Sequence, residues 1–281
     1  MSLARSVMLL SSVFALGTVA ACGGDAGTPF EVPQAPTPTT PTGGAGHPGF
    51  DIGVYPGDAA VRAWATGAPY EWMGYYLPAP CHRDSTFVGK RATITSAGLG
   101  VAVLYVGQQT WDGVPILAGS REASLRASAL RAMASAVAVT CSRTLLDASQ
   151  GDAEARDAIA RTAAEGFPSG TAIFLDLEPM TITAAMRSYY KAWVARVVAD
   201  GRFRPGIYAH VSNGADIHAD VGDVPFWVAS TRNFSLASAP TGVGYPFATA
   251  WQGALDVTRT WNGVTLTVDE SVASTKSPSG S

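Results

Sequence analysis

Eight short apolar runs, most of them separated by stretches of helical period, constrain this chain more than any other feature. "GFDIGVY" (49–55), "YEWMGYYL" (70–77), "GVAVLYVGQQ" (100–109), "TAIFLDLE" (171–178), "RPGIYAH" (204–210), "VPFWVAS" (224–230), "FATAWQG" (247–253) and "TLTVDES" (265–271) read as strands. Between them, 58–65, 87–98, 121–139, 152–167 and 182–200 have helical period. Strands alternating with helices argue for a parallel sheet covered on both faces. Eight strands in roughly 230 residues fit a closed α/β barrel of the TIM type, (β/α)8, better than an open doubly wound sheet. The open sheet also lacks its phosphate loop: "GFDIGVYPG" is not G-x-G-x-x-G, and no G-x-x-x-x-G-K-[ST] occurs. The late connections are short or poor in helix, so some outer helices are expected to be reduced.

The stretch before the barrel bears on compartment rather than on fold. Residues 1–21 carry one positive charge at Arg5, then an apolar run from Val7 to Val19, too short to span a bilayer comfortably. This fits an export signal. "VAAC" at its end resembles the lipobox of bacterial lipoproteins, in which the cysteine, here Cys22, is lipidated and becomes the mature N-terminus. The alternative is a plain secretory signal cleaved nearby, with Cys22 incidental. Residues 22–48 are dominated by Pro, Thr and Gly and read as an extended tether. At polyproline pitch it reaches roughly 80 Å. The expected organisation is therefore signal 1–21, tether 22–48 and barrel 49–281. Localisation is then the bacterial cell envelope, with a lipid anchor in the membrane.

Two other cysteines, Cys81 and Cys141, form an even pair, which outside the cytoplasm favours a disulfide over two separate buried thiols. No metal site is expected, because His47, His82, His210 and His218 lack ligand-like spacing. The net charge of −3 gives no basic footprint for nucleic acid.

The chemistry is carried by acids at strand ends. Asp51 sits on the first strand, Asp176 and Glu178 on the fourth, and Asp269 on the last with Glu270 beside it. In a parallel barrel the strand C-termini open on one face. Side chains alternate along a strand, so Asp176 and Glu178 share a face, with Cα atoms about 7 Å apart. Acids converging on one mouth repel, and desolvation adds to the cost, so some should titrate high, as a general acid requires. The bland alternative is that Glu178, before Pro179, caps the helix that follows. Aromatic and amide residues accompany the acids: Tyr75 and Tyr76, Tyr105 and Gln108, Tyr208 and His210, Trp227, and Trp251 and Gln252. Of these, Tyr75, Tyr105, Gln108, Tyr208, Trp227, Trp251 and Gln252 are the expected substrate contacts. Aromatic faces stack on sugar rings, while Gln and Tyr bond hydroxyl and acetamido groups.

"GFDIG", "VLYVGQQT", "GTAIFLDLEP", "YYKAWVARV", "RPGIYAH", "FWVAS", "ATAWQG" and "LTVDES" run in the order found in a glycoside-hydrolase-like barrel family of unknown function. That family is similar to the glycoside hydrolase family 25 lysozymes. The resemblance covers most of the chain from about Gly49 to Ala273, and "DLE" with the first-strand Asp and the "WQ…D" ending is its most specific part. It implies a muramidase-like acidic site of Asp51, Asp176, Glu178 and Asp269. Glu178 would protonate the glycosidic oxygen. Asp176 would orient the acetamido group or stabilise positive charge at the anomeric carbon. Asp51 and Asp269 would shape the field and hold water or sugar. The chain departs from the lysozymes in an apparent insertion near 112–150 and in "GALDV", which lacks the aromatic that often follows "WQ".

The expected function is thus a glycosidase acting on cell-wall or other N-acetylated polysaccharide such as peptidoglycan. No cofactor is expected, since protonation and charge stabilisation suffice. The rival is a glycan-binding or envelope-organising module with a degenerate site. A Ser or Cys hydrolase ranks below both: there is no G-x-S-x-G, and neither Cys81 nor Cys141 has an obvious His partner.

Overall fold

The structure is a computed structural model that describes residues 46–110 and 141–280. The expected signal, Cys22, most of the tether, the expected helix 121–139 and most of the expected insertion lie outside the described residues. Eight strands close into a barrel in chain order: β1 (His47–Asp51), β2 (Trp72–Tyr76), β3 (Gly100–Val106), β4 (Ala172–Leu177), β5 (Arg204–His210), β6 (Phe226–Ala229), β7 (Ala248–Trp261) and β8 (Val264–Ala273).

β1 through β7 pair in parallel, but β8 runs antiparallel to both β7 and β1. This corrects the expectation of a fully parallel sheet. The reason is local: Asn262 and Gly263 both take positive φ, 47° and 77°, between the paired residues Trp261 and Val264. A two-residue turn of that kind can only join antiparallel neighbours. β7 therefore climbs past the barrel rim, and β8 descends from above it.

Helices α1 (Asp58–Gly67), α2 (Arg91–Ser96), α3 (Ala148–Ala164), α4 (Ala184–Asp200) and α5 (Val211–Val221) cover the outside. Their ends are written in the sequence. Asp147 caps α3 by accepting from the Gln150 amide at 2.8 Å, and Thr183 caps α4 by accepting from Met186 at 3.1 Å. Gly201 ends α4 in the left-handed region, φ 75°. The β6–β7 connection carries only a 3₁₀ turn, Pro240–Val243, and β7 passes to β8 by the hairpin. The outer ring is reduced at those two places.

Two apolar layers result. Between barrel and helices lie residues such as Trp64, Tyr75, Tyr105, Tyr189 and Trp193. Inside the barrel, Trp72, Phe174, Tyr208 and Trp227 pack together. Trp227 is the hub, taking Trp72, Phe174 and Tyr208 edge-on with ring centroids 5.3, 5.9 and 5.4 Å away. Trp72 fits because Gly49 faces it: a Cβ there would lie 2.1 Å from the indole. Below, Ser279 closes the N-terminal ends of β3 and β4, its hydroxyl accepting from Val103 at 2.8 Å and its carbonyl accepting from Ala172 at 2.8 Å.

Candidate active site

The barrel wall sends alternate residues inward, and at the C-terminal rim the inward set is acidic. Asp51 ends β1, Asp176 lies one residue from the end of β4, and Glu178 follows β4 directly. Asp269 reaches the same rim on the descending β8, paired in register with Asp51. Gly74 makes room for Asp51, since a Cβ at Gly74 would lie 2.7 Å from the Asp51 Cβ.

Hydrogen bonds join Asp51 to Asp269 through Gln252, and a separate pair fixes the backbone of the Asp176–Glu178 turn. Tyr76 donates to Asp51 Oδ1 at 2.8 Å. Gln252 Nε2 lies 2.9 Å from Asp51 Oδ2 and 3.4 Å from Asp269 Oδ2. Tyr208 donates to Gln252 Oε1 at 2.6 Å, which fixes that amide's orientation. The Asp256 amide donates to Asp269 Oδ1 at 2.7 Å. Gln109 is fully buried and spans the Asp-Leu-Glu turn: its Nε2 donates to the Asp176 carbonyl at 2.8 Å, and its Oε1 accepts from the Glu178 amide at 3.1 Å. Asp176 is only 5 % exposed, and its Oδ1 has no hydrogen-bond partner.

The electrostatics follow from this placement. Burial pushes the Asp51 carboxyl up to about 6, against the pull of the Tyr76 and Gln252 hydrogen bonds, with Glu178 adding to the rise. Burial, then the charges of Glu178 and Asp51, raise Asp176 well above the usual carboxylate range. Burial and Asp269 raise Glu178 to about 7. No basic side chain among the described residues acts on Asp51, Asp176 or Glu178. Near neutral pH the mouth thus holds exchangeable protons beside ionised carboxylates, which is what acid–base chemistry needs. Among the described residues no group of three or more His, Cys, Asp and Glu is arranged to hold a metal ion.

The expected substrate contacts divide. Tyr208 and Gln252 belong to the mouth network, and Trp227 lies beneath it, fully buried, with its Nε1 unpartnered. Tyr75, Tyr105, Gln108 and Trp251 do not belong to it: they point outward, which corrects the expectation. Side chains along a strand alternate, and Tyr75, Tyr105 and Trp251 stand on the outer parity, whereas Gln108 lies past the end of β3 and turns to α3. The Tyr75 hydroxyl lies 2.6 Å from the Phe87 carbonyl and 2.5 Å from a Glu165 carboxylate oxygen. Tyr105 donates to Asp157 on α3 at 3.0 Å, and Gln108 to Glu154 on α3 at 2.7 Å. The Trp251 indole donates to the Ser230 carbonyl at 2.7 Å. Their sequence neighbours Tyr76 and Gln109 are the ones that meet the acids. Glu178 does not cap α4; Thr183 does. Glu270 faces outward, held by Arg259 at 2.8 and 3.1 Å and by the Tyr70 hydroxyl at 2.7 Å. Cys81 and Cys141 are joined in a disulfide.

Residues 62–273 match the model of the Rv2525c-like, glycoside hydrolase-like domain. No curated protein matches the sequence. Among solved structures the fold is similar to an uncharacterised B. stearothermophilus protein, 17 % identical, with 81 % of this chain and 96 % of that one covered and a TM-score of 0.52. It is similar to GHIP, a glycosyl hydrolase 25 of Streptococcus pneumoniae, 14 % identical, with 81 % and 87 % covered and a TM-score of 0.53. It is also similar to the modular autolysin LytC of the same species, 13 % identical, with 80 % of this chain but 46 % of LytC covered and a TM-score of 0.52. At these identities the likeness is one of fold.

Proposed function

The chain belongs to the Rv2525c-like, glycoside hydrolase-like domain family, and on that footing we propose that it is an exported glycosidase acting on peptidoglycan or a related N-acetylated polysaccharide. The observation that carries this reading is the mouth itself, where Asp51, Asp176 and Glu178 are raised by burial and by other carboxylates, with no basic side chain acting on them among the described residues.

Glu178, poised at about 7 and partly exposed at the rim, is the general acid. Its proton passes to the glycosidic oxygen as the C–O bond breaks. A water adds to the anomeric carbon, and the proton it sheds restores Glu178. Asp176, buried and protonated well above the usual range, has a free oxygen with which to orient an acetamido group. Asp51 and Asp269, held by Gln252, stabilise positive charge at the anomeric carbon. The likeness to LytC, which has been solved with a synthetic peptidoglycan ligand, supports the substrate class.

The test is release of reducing ends from peptidoglycan and chitin oligomers by the full chain, beside Glu178→Gln. Cleavage by the wild type alone is the expected result. Equal binding by both with no cleavage by either would sink the enzyme and leave a glycan-binding module. The same reading assigns 1–21 as an export signal, Cys22 as lipid anchor and 22–48 as tether to a barrel of 49–281. Cys22→Ala is expected to release the protein from membranes; continued membrane association refutes the anchor.

A further inference from the structure

We propose that His82 is a positioning residue for the acidic mouth, holding the Tyr76 phenol on Asp51, and that the neighbouring disulfide holds His82 in turn. The inference goes beyond the glycosidase reading and concerns the bond that connects β2 to β1.

After Tyr76 the chain leaves the rim as Leu77-Pro78-Ala79-Pro80-Cys81-His82. This loop has few ways to move. Two prolines fix their own φ. Ala79 and His82 exchange backbone hydrogen bonds of 2.7 and 3.1 Å, which closes a tight turn. The Cys81 amide donates to the Val106 carbonyl at the end of β3 at 3.2 Å, and its sulfur is bonded to Cys141. The turn carries the His82 ring back over the strand it has just left. Its centroid lies 4.8 Å from that of Tyr76, with the planes tilted by 41°.

His82 also lies beside the chain that follows Asp51: its ring Cε1 comes within 3.7 Å of where a Cβ on Gly53 would stand. One imidazole therefore packs on the donor and abuts the chain of the acceptor. Burial lowers His82 to about 4 against the opposing charge of Asp84, so above pH 5 it is neutral and acts on Asp51 through position. The groups that act on the Tyr76–Asp51 pair are Asp176 and Glu178 from β4 and its end, Asp269 from β8 and Gln252 from β7. From the loop side the Tyr76 ring is met by His82 and, farther off at 6.0 Å between centroids, by Phe87.

The test reads Asp51 and needs no glycan, so its failure is separate from failure of the glycosidase reading. Carboxyl carbons of the full chain are titrated by ¹³C NMR, with Asp51 assigned by its loss in Asp51→Asn. Because the Tyr76 hydrogen bond holds Asp51 down, loosening it moves the midpoint up from about 6. His82→Ala and His82→Gln are each expected to raise it by about half to one unit, toward the value in Tyr76→Phe. His82→Phe, which keeps an aromatic face on Tyr76, is expected to restore most of the wild-type midpoint. In the Tyr76→Phe background, His82→Gln is expected to add nothing. An unshifted Asp51 in folded His82→Gln, a shift in His82→Phe as large as in His82→Gln, or a further shift in the Tyr76→Phe background each overturns the proposal.

Discussion

Adjacent residues on this barrel wall lead different lives. Asp269 faces the mouth and shares an amide with Asp51, whereas Glu270 faces out and is gripped by Arg259 and Tyr70. Tyr76 donates to an acid of the mouth, while Tyr75 meets Phe87 and Glu165 in the outer layer. Gln109 fixes the Asp176–Glu178 backbone; Gln108 bonds Glu154 on α3. Outside, the buried carboxylates have donors of their own: Glu270 has Arg259 and Tyr70, and Glu154 has Gln108, Gln150 and Tyr189. Inside, carboxylates share neutral donors and raise one another's proton affinity. The same residue types thus serve stability on one face and chemistry on the other, separated by a single position.

The largest expected effect divides the two faces by activity. On glycan substrate, Glu178→Gln should lower kcat by about 10²–10⁴, the usual worth of a general acid. Glu270→Gln, on the outer parity, should leave kcat within a few-fold. Comparable losses in both would erase the distinction. The same Glu178→Gln chain should gain stability with pH. Glu178 has a folded value of about 7 against an ordinary 4.5. The native state therefore holds this proton where the unfolded chain has lost it. Its stability contribution is complete below about pH 4.5 and is lost as pH rises through 7. Gln, which never ionises, escapes that loss. Urea midpoints of wild type and variant should coincide near pH 4 and separate by at most about 3 kcal/mol at pH 8, with the variant the more stable.

Arg259→Ala probes the outer face. Glu270 is 3 % exposed, and removing its guanidinium partner leaves a buried carboxylate with only the Tyr70 hydroxyl. Arg259 itself is half in solvent, which moderates the cost. A loss of about 2–3 kcal/mol in urea denaturation is expected. Asp269→Asn, next to Glu270 on β8 but on the inner parity, should change stability by less than about 1 kcal/mol.

How far the sequence was legible follows the same division. The barrel could be read because eight apolar runs need two covered faces. The acids could be read because Asp51, Asp176 and Glu178 are the charges in runs otherwise apolar or uncharged, an expensive placement, while Asp269, which shares its run with Glu270, was set apart by the resemblance. Parity could not be read. Both faces of a barrel strand are buried, so "WMGYY" shows no alternation to say that Tyr76 rather than Tyr75 looks inward. The same blindness hid that Trp251 and Gln252 diverge, while Gln108 and Gln109 lie past the end of β3, where strand parity no longer decides which one meets the acids. The reversed β8 did leave a signal. "TRTWNGVTLT" places Asn262-Gly263 between alternating threonines, the pattern of a hairpin, and Thr258 meets Thr267 while Thr260 meets Thr265 at 3.1 and 2.8 Å. The missed turn changed the route rather than the destination: Asp269 reaches the rim on a descending strand, in register with Asp51.

The finest division, and the smallest expected effect, lies between the two tyrosines. Removing either hydroxyl deletes one donor and little volume. Tyr75 is fully buried, and its hydroxyl sits between a backbone carbonyl and Glu165, both of which lose a donor in Tyr75→Phe. That variant should lose about 1 kcal/mol in urea denaturation and leave the mouth's titration unchanged. In Tyr76→Phe the bond lost is one that holds the Asp51 proton affinity down. Asp51 still has Gln252, and near pH 5 it takes up a proton in place of the missing donor, so the stability cost there is smaller than for Tyr75→Phe. It grows as pH rises and the unassisted carboxyl is forced to ionise. Urea midpoints at pH 5 and 8 should therefore be offset by a constant amount in Tyr75→Phe and by a widening amount in Tyr76→Phe. A constant offset in both would mean that Tyr76, like its neighbour, is only part of the wall.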